Sequence, residues 1–232
     1  MSTTASAPRR SRLTLPSLDD HRNEVVITTA FVVVLIAISA FIRTRAIAGP
    51  FWIDEGLSVG IASHPFSEIF HALREDGSPP LYYLLLHFWM EAFGRSEENT
   101  HVLSLLFALL TIPAALWAGW SLFGRRAGYI AAALAAFNPF LVAYAQETRM
   151  YSFLALLCLL ATGCFALAFV HRRRAYLIPL ALLLAAIAYT HNWGLFFDAG
   201  CLLALVVVWR TAPDRRGIVR DGLLCVGAAA LL

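Results

Sequence analysis

The sequence contains no lysine, and charged residues make up only 14% of its 232 positions. Soluble domains carry about 25% charged residues, so composition alone excludes a water-dissolved globule. Hydrophobic residues reach 59% and the mean hydropathy is +0.69. All eighteen basic residues are arginine. They cluster at the ends of apolar segments, so the net charge of +3 reports membrane topology and forms no patch for nucleic acid. Cysteine is sparse too. Cys158, Cys164, Cys201 and Cys225 lie inside apolar runs, without the paired spacings of a zinc site or a secreted disulfide framework. They read as small buried hydrophobes. No Gly-rich phosphate loop is visible in the sequence either. No small-residue cleavage site lies at a convincing distance after the first apolar run, so that run is expected to stay in place as a signal anchor.

What the chain has is a series of long apolar runs. About 20 apolar residues cross a bilayer core, with a range of roughly 17–25. Runs at 25–42, 102–123, 127–144, 151–170, 176–189 and 195–209 are read as spans, and another begins near 222. The expected fold class is an all-α polytopic transmembrane helical bundle, whose first outer loop carries short interfacial helices. Residues 1–24 are expected to form a disordered cytoplasmic tail and 25–232 the transmembrane domain, with 43–80 as the outer loop. The last run stops in mid-span, so the chain is expected to be the N-terminal portion of a longer protein.

Arginines cluster at 9–22, 125–126, 172–174 and 210–220. Short arginine-rich loops stay cytoplasmic, which puts the N-terminus inside. Residues 43–80, the Gln146-Glu147-Thr148-Arg149 hairpin tip and the His191-Asn192-Trp193 tip then share the outer side. That convergence requires the 81–93 segment not to cross; its length suits a re-entrant or interfacial helix, although Pro79-Pro80 could also start a short tilted span.

Three polar groups could carry chemistry on that side. Phe51-Trp52-Ile53-Asp54-Glu55-Gly56 enters a short helix, where the dipole favours carboxylates; Asp54 and Glu55 are either catalytic acids or cap and first-turn acids. Asp76-Gly77-Ser78-Pro79-Pro80-Leu81-Tyr82-Tyr83 is a proline-forced turn. Asp76 there is a turn acid or a second acid facing Asp54, and the tyrosines are an interfacial aromatic belt or a sugar platform. Tyr144-Ala145-Gln146-Glu147-Thr148-Arg149-Met150-Tyr151 puts more polar chemistry at a hairpin tip than a turn needs. Arg149, like Arg43 and Arg45 at the outer end of their span, could grip a phosphate through its planar fork. The competing reading is a Glu147–Arg149 pair with snorkelling. His191 is an interfacial hydrogen bonder or a ligand.

These pieces resemble, in order and spacing, the polytopic glycosyltransferases of the C-type fold, in the bacterial branch similar to protein O-mannosyltransferases and lipid A aminoarabinose transferases. Four segments carry the resemblance over about residues 30–200: Arg43 with Phe51 to Ser58, Asp76 to His87, Asn138-Pro139 leading to Tyr151, and Tyr189-Thr190-His191. Relatives often carry His or Lys before the Pro-Pro pair, where this chain has Ser78. The resemblance implies transfer of a sugar, mannose-like or other, from a polyprenyl-phosphate donor to a protein, lipid or glycan acceptor at the outer face of the bacterial inner membrane, with inversion. Asp54 is implied as general base with Glu55 beside it. Arg43, Asp76, Tyr82, Glu147, Arg149, Tyr151 and His191 are the expected substrate contacts, and a divalent metal is a possible cofactor. The other class is a transporter, flippase or non-enzymatic subunit handling lipid-linked sugars. It would place ionisable residues at mid-membrane in both halves of a repeat, whereas here the spans hold almost none, Asp198 being an exception.

Overall fold

The computed structural model describes residues 18–231, with side chains from Arg22 onward. Among these residues every regular element is helical: α1 (Leu18–Arg43), α2 (Ile53–Ala62), α3 (Phe66–Asp76), α4 (Leu81–Phe93), α5 (Glu97–Phe123), α6 (Arg125–Phe137), α7 (Pro139–Tyr144), α8 (Tyr151–Phe165), α9 (Leu177–Ala188), α10 (Gly194–Thr211) and α11 (Arg215–Leu231). A π-helical turn, Ala166–Val170, prolongs α8. Four segments are long and apolar enough to cross a membrane: Arg22–Arg43, Glu97–Phe123, Tyr151–Val170 and Gly194–Thr211. The expected all-α polytopic bundle is thus observed, with α2 and α3 as short helices in the loop that follows α1. α1 begins at Leu18, inside the stretch assigned to the tail; residues 1–17 lie outside the described residues. Val25, Val26, Val33, Val34 and Phe41 along α1 are all more than half exposed, a surface that lipid tails solvate and water does not.

The run 127–144, expected as one span, is two helices. Pro139 has no N–H to give the Ala135 carbonyl, and its ring pushes the preceding Asn138 into extended backbone (φ −62°, ψ 122°). Asn138 then caps α7, its side chain accepting from the Leu141 N–H at 3.2 Å. The interrupted end of α6 needs other donors, because carbonyls inside a bilayer have no water to turn to.

Arg43, expected as a phosphate contact, is such a donor, and both of its terminal nitrogens bond backbone carbonyls. Its side chain is fully buried. Nη2 donates to the Ala135 carbonyl at 2.9 Å and Nη1 to the Ala108 carbonyl of α5 at 2.8 Å, while the Ser39 hydroxyl donates to the Ala136 carbonyl at 3.0 Å. A cation at a helix C-terminus also suits the dipole. Arg43→Ala is therefore expected to lower the thermal unfolding midpoint of the detergent-solubilised protein, by about 1–3 kcal/mol for each carbonyl left bare. An unchanged midpoint with a raised KM for the lipid donor would restore the phosphate role.

Glycine permits the closest helix pair. A Cβ on Gly128 would lie 2.8 Å from the Leu116 carbonyl and one on Gly119 2.9 Å from the Ala127 carbonyl, so α5 and α6 approach backbone to backbone, as small residues allow in membranes.

Helix ends sort into two faces. On one, Arg125 pairs with Glu24 at 3.0 Å, Arg172 with Asp214 at 3.2 Å and Arg174 with Asp221 at 3.0 Å; this is the arginine face. On the opposite face, the start of α5 meets the start of α2 through His101 and Glu55. Both ends of α4 lie there as well. Its first N–H, of Leu81, donates to the Tyr189 carbonyl at the end of α9, and Trp89 near its far end donates to the Asn99 carbonyl in the first turn of α5 at 2.7 Å. α4 therefore runs along this face without traversing the bundle, which keeps the parity the convergence needs.

Candidate active site

The site is built where α2 starts. Trp52 is extended (φ −89°, ψ 175°), and its N–H donates to Glu55 Oε2 at 3.1 Å, closing half of a capping box. The other carboxylate oxygen, Oε1, accepts from the Thr148 N–H at 2.7 Å and meets His101 Nε2 at 2.7 Å. His101 Nδ1 in turn donates to the Ile47 carbonyl at 2.6 Å. Glu55 is 2% exposed and His101 1%. The Glu55 carboxylate thus pins three segments together: the first loop, the start of α5 and the hairpin tip before α8. Both of its oxygens are engaged within the protein, an arrangement that suits a residue positioning these segments.

Asp54 is one residue, or about 100° around the helix, away, and that rotation turns it outward. Its side chain is 40% exposed, with Oδ2 3.8 Å from Arg149 Nη2. Arg149 is held from the other side. Its Nη1 donates to the Asp54 carbonyl and to Ser58 Oγ, each at 3.1 Å, while Nε is buried without a partner. Part of the guanidinium fork therefore anchors the hairpin tip to α2, and the rest faces the same space as the Asp54 carboxylate.

Around this pair lie the other loops. Tyr151 sits beneath the Arg149 guanidinium, 5.6 Å from Cζ to the ring centre, and stacks at 5.9 Å on His191. The Trp193 N–H donates to His191 Nδ1 at 3.0 Å, so that nitrogen is unprotonated and Nε2 carries the hydrogen. Burial, then the nearby Arg149 charge, hold the His191 imidazole below its ordinary range, and the ring is neutral. Asn192 closes the rim by donating to the Gly77 carbonyl at 2.9 Å. Gly77 adopts φ +80° in ending α3, which glycine accepts without strain.

Asp76 is exposed at the end of α3, on the rim. Tyr82, expected at the substrate, is fully buried in the cluster that also holds Ile69, Leu73, Leu86 and Met150. Its neighbour Tyr83, 2% exposed, belongs to the same cluster and lies near Ser58, Ser78, Asp76 and Arg149. Sequence reasoning left out Tyr83, Ser58 and His101 as site residues. Ser58 was recoverable, since four residues after Asp54 it shares a helix face; His101 carried no signal because its partners are distant in sequence.

Glu147 is the unsatisfied member. Its Oε2 is buried with no hydrogen-bond partner. Burial first, and then the Glu55 charge, push its carboxyl above the usual carboxylate range. A raised acid pKa means that the fold disfavours the ionised form, so stability is lost as pH rises through that pKa and regained as it falls. Glu147→Gln is expected to raise the unfolding midpoint at neutral pH, with the gap over wild type closing in acid. A midpoint lower than wild type throughout a pH series would contradict it.

The sequence matches the model of the dolichyl-phosphate-mannose-protein mannosyltransferase family over residues 77–231. The chain belongs to this family. Membership makes it a membrane glycosyltransferase of the mannosyltransferase type, acting between a lipid-linked sugar donor and an acceptor. The matched stretch opens at Gly77 on the site rim and runs from α4 into α11, so Asp54 and Glu55 lie upstream of it and are argued from geometry alone. Comparisons with curated proteins and with solved structures gave no match.

Proposed function

We propose that the protein transfers a sugar from a polyprenyl-phosphate donor to an acceptor hydroxyl at the outer face of a bacterial inner membrane, inverting the anomeric centre. One observation carries the reading: of two adjacent acids, Asp54 alone faces open space, and a guanidinium lies 3.8 Å from it. In the proposed step, Asp54 removes the acceptor proton while the acceptor oxygen bonds to the anomeric carbon. The bond from that carbon to the phosphate oxygen breaks, and its electron pair leaves with the lipid phosphate. Arg149, through Nη2 on the side facing Asp54, meets the growing negative charge. Tyr83, Tyr151, His191 and Asp76 supply hydroxyl, ring, N–H and carboxylate groups suited to a sugar. The prenyl chain lies in the bilayer, which accounts for the fold.

Among the described residues, no group of three or more His, Cys, Asp or Glu side chains is arranged to hold a metal ion. A divalent cation, if used, would take its oxygens from Asp54, Glu147 and the donor phosphate together.

The decisive experiment supplies the purified protein with synthetic polyprenyl-phosphate sugars and an acceptor pool, and follows lipid phosphate release and product anomeric configuration. Expected are release dependent on the lipid donor and an inverted linkage. Turnover of a nucleotide sugar without lipid, or retained configuration, would sink the proposal. Impermeant labelling of Asp54→Cys in intact spheroplasts, expected to succeed, tests the outward orientation.

A further inference from the structure

Opposite the candidate site, the arginine face holds a groove that the transfer chemistry does not use. It has a volume of about 670 Å³ and runs along α11 beside the end of α10. Arg215, Arg216 and Arg220 line its upper rim, and Trp209, Val219, Leu223 and Leu224 line the rest. Along α11 the lining runs from Arg215 and Arg216 in the first turn, through Val219 and Arg220 in the next, to Leu223 and Leu224 a turn further on. Val219, Leu223 and Leu224 are 47%, 69% and 62% exposed.

The acids of this face are already committed elsewhere. Asp221, 1% exposed, is held by Arg174 at 3.0 Å and Arg172 at 3.5 Å, with Arg220 Nε at 3.4 Å. Asp214 pairs with Arg172 at 3.2 Å and caps the Gly217 N–H at 2.9 Å. Arg215 donates to the Arg210 carbonyl at 3.2 Å and lies 5.7 Å over the Trp209 ring. Neither Arg215 nor Arg216 has an acidic partner among the described residues. The Asp221 cluster thus fixes the start of α11 rigidly while two guanidinium groups project over an apolar channel.

We infer that this groove binds an anionic phospholipid of the facing leaflet, its phosphate on Arg215 and Arg216 and an acyl chain along Leu223 and Leu224. Charge complementarity chooses this occupant. A zwitterionic lipid would bring a quaternary ammonium to Arg215 and Arg216, which have no acidic partner among the described residues, whereas an anionic headgroup neutralises them. An aromatic ring at the boundary between charge and apolar wall suits the headgroup level of a bilayer.

Trp209 provides the readout. The protein is reconstituted into nanodiscs containing brominated phosphatidylglycerol or brominated phosphatidylcholine. The difference between wild type and W209F isolates the Trp209 signal from the other five of the six tryptophans. Quenching by the anionic lipid is expected to prevail, with a relative association constant favoured about fivefold for each arginine engaged. High salt and the R215Q/R216Q variant should remove that preference. Equal quenching by the two lipids, or an undiminished preference in R215Q/R216Q, would overturn the inference. So would no quenching by either, the outcome if another protein segment covers the groove.

Discussion

Asp54→Asn is expected to lower sugar transfer by roughly 10²–10⁴-fold, the contribution of a positioned general base, while leaving the fold intact. The fold is spared because the Asp54 side chain's closest charged contact is the 3.8 Å approach of Arg149, too long for a hydrogen bond. The Arg149 bonds that tie the hairpin tip to α2 go instead to the Asp54 backbone carbonyl and to Ser58, and asparagine keeps both. Size and helix position are conserved, so the loss should fall on kcat, with donor KM changing little. The check is a transfer assay beside thermal unfolding of wild type and variant in the same detergent. Activity within tenfold of wild type would remove Asp54 as the base, and an unfolded variant would mean that its side chain is structural.

Glu55→Ala is expected to fail in the opposite way, by destabilising the protein. It deprives the Trp52 and Thr148 N–H groups of their acceptor and leaves His101 facing an empty buried space. Leaving a buried hydrogen-bonding group without its partner costs about 1–3 kcal/mol, and several are left at once, a large share of a typical total stability of about 5–15 kcal/mol. The measurement is the midpoint and yield of folded protein, with Glu55→Gln beside it. Glutamine can keep an acceptor for the N–H groups, so its midpoint should fall between the two. Adjacent acids would then separate into one that reacts and one that holds. If Glu55→Ala folded with a normal midpoint and lost only activity, the positioning role would be wrong.

Several elements were legible from the residues alone because the bilayer imposes them. Long apolar runs at 25–42, 102–123, 151–170 and 195–209 match the four long apolar helices, since hydrocarbon leaves a spanning chain few alternatives to a helix. The arginine clusters at 125–126, 172–174 and 210–220 predicted a common face, and Arg125, Arg172 and Arg174 are found there making ion pairs. The gathering of the first loop, the 146–149 tip and the 191–193 tip followed from the same counting, and Glu55, Thr148, Asn192 and Gly77 now join them through direct hydrogen bonds. The break at Asn138-Pro139 went unread as a helix boundary because the surrounding run is apolar throughout and periodicity cannot see it.

Which side chain does what was a different matter. Arg43 and Arg149 looked alike in sequence, each an arginine at the outer end of an apolar run, yet one satisfies the carbonyls of an interrupted helix and the other faces the site. Asp54 and Glu55 are neighbours of the same chemistry that a turn of about 100° sends to opposite environments. The residues by themselves determined that this chain is a helical membrane protein, which of its loops share a side, and which polar types gather there, because the cost of placing charge and bare backbone in hydrocarbon acts on each segment separately. Tertiary structure alone decided which carboxylate is spent on His101 and which is left free, because that depends on partners 46 and 93 positions distant whose approach no local pattern encodes.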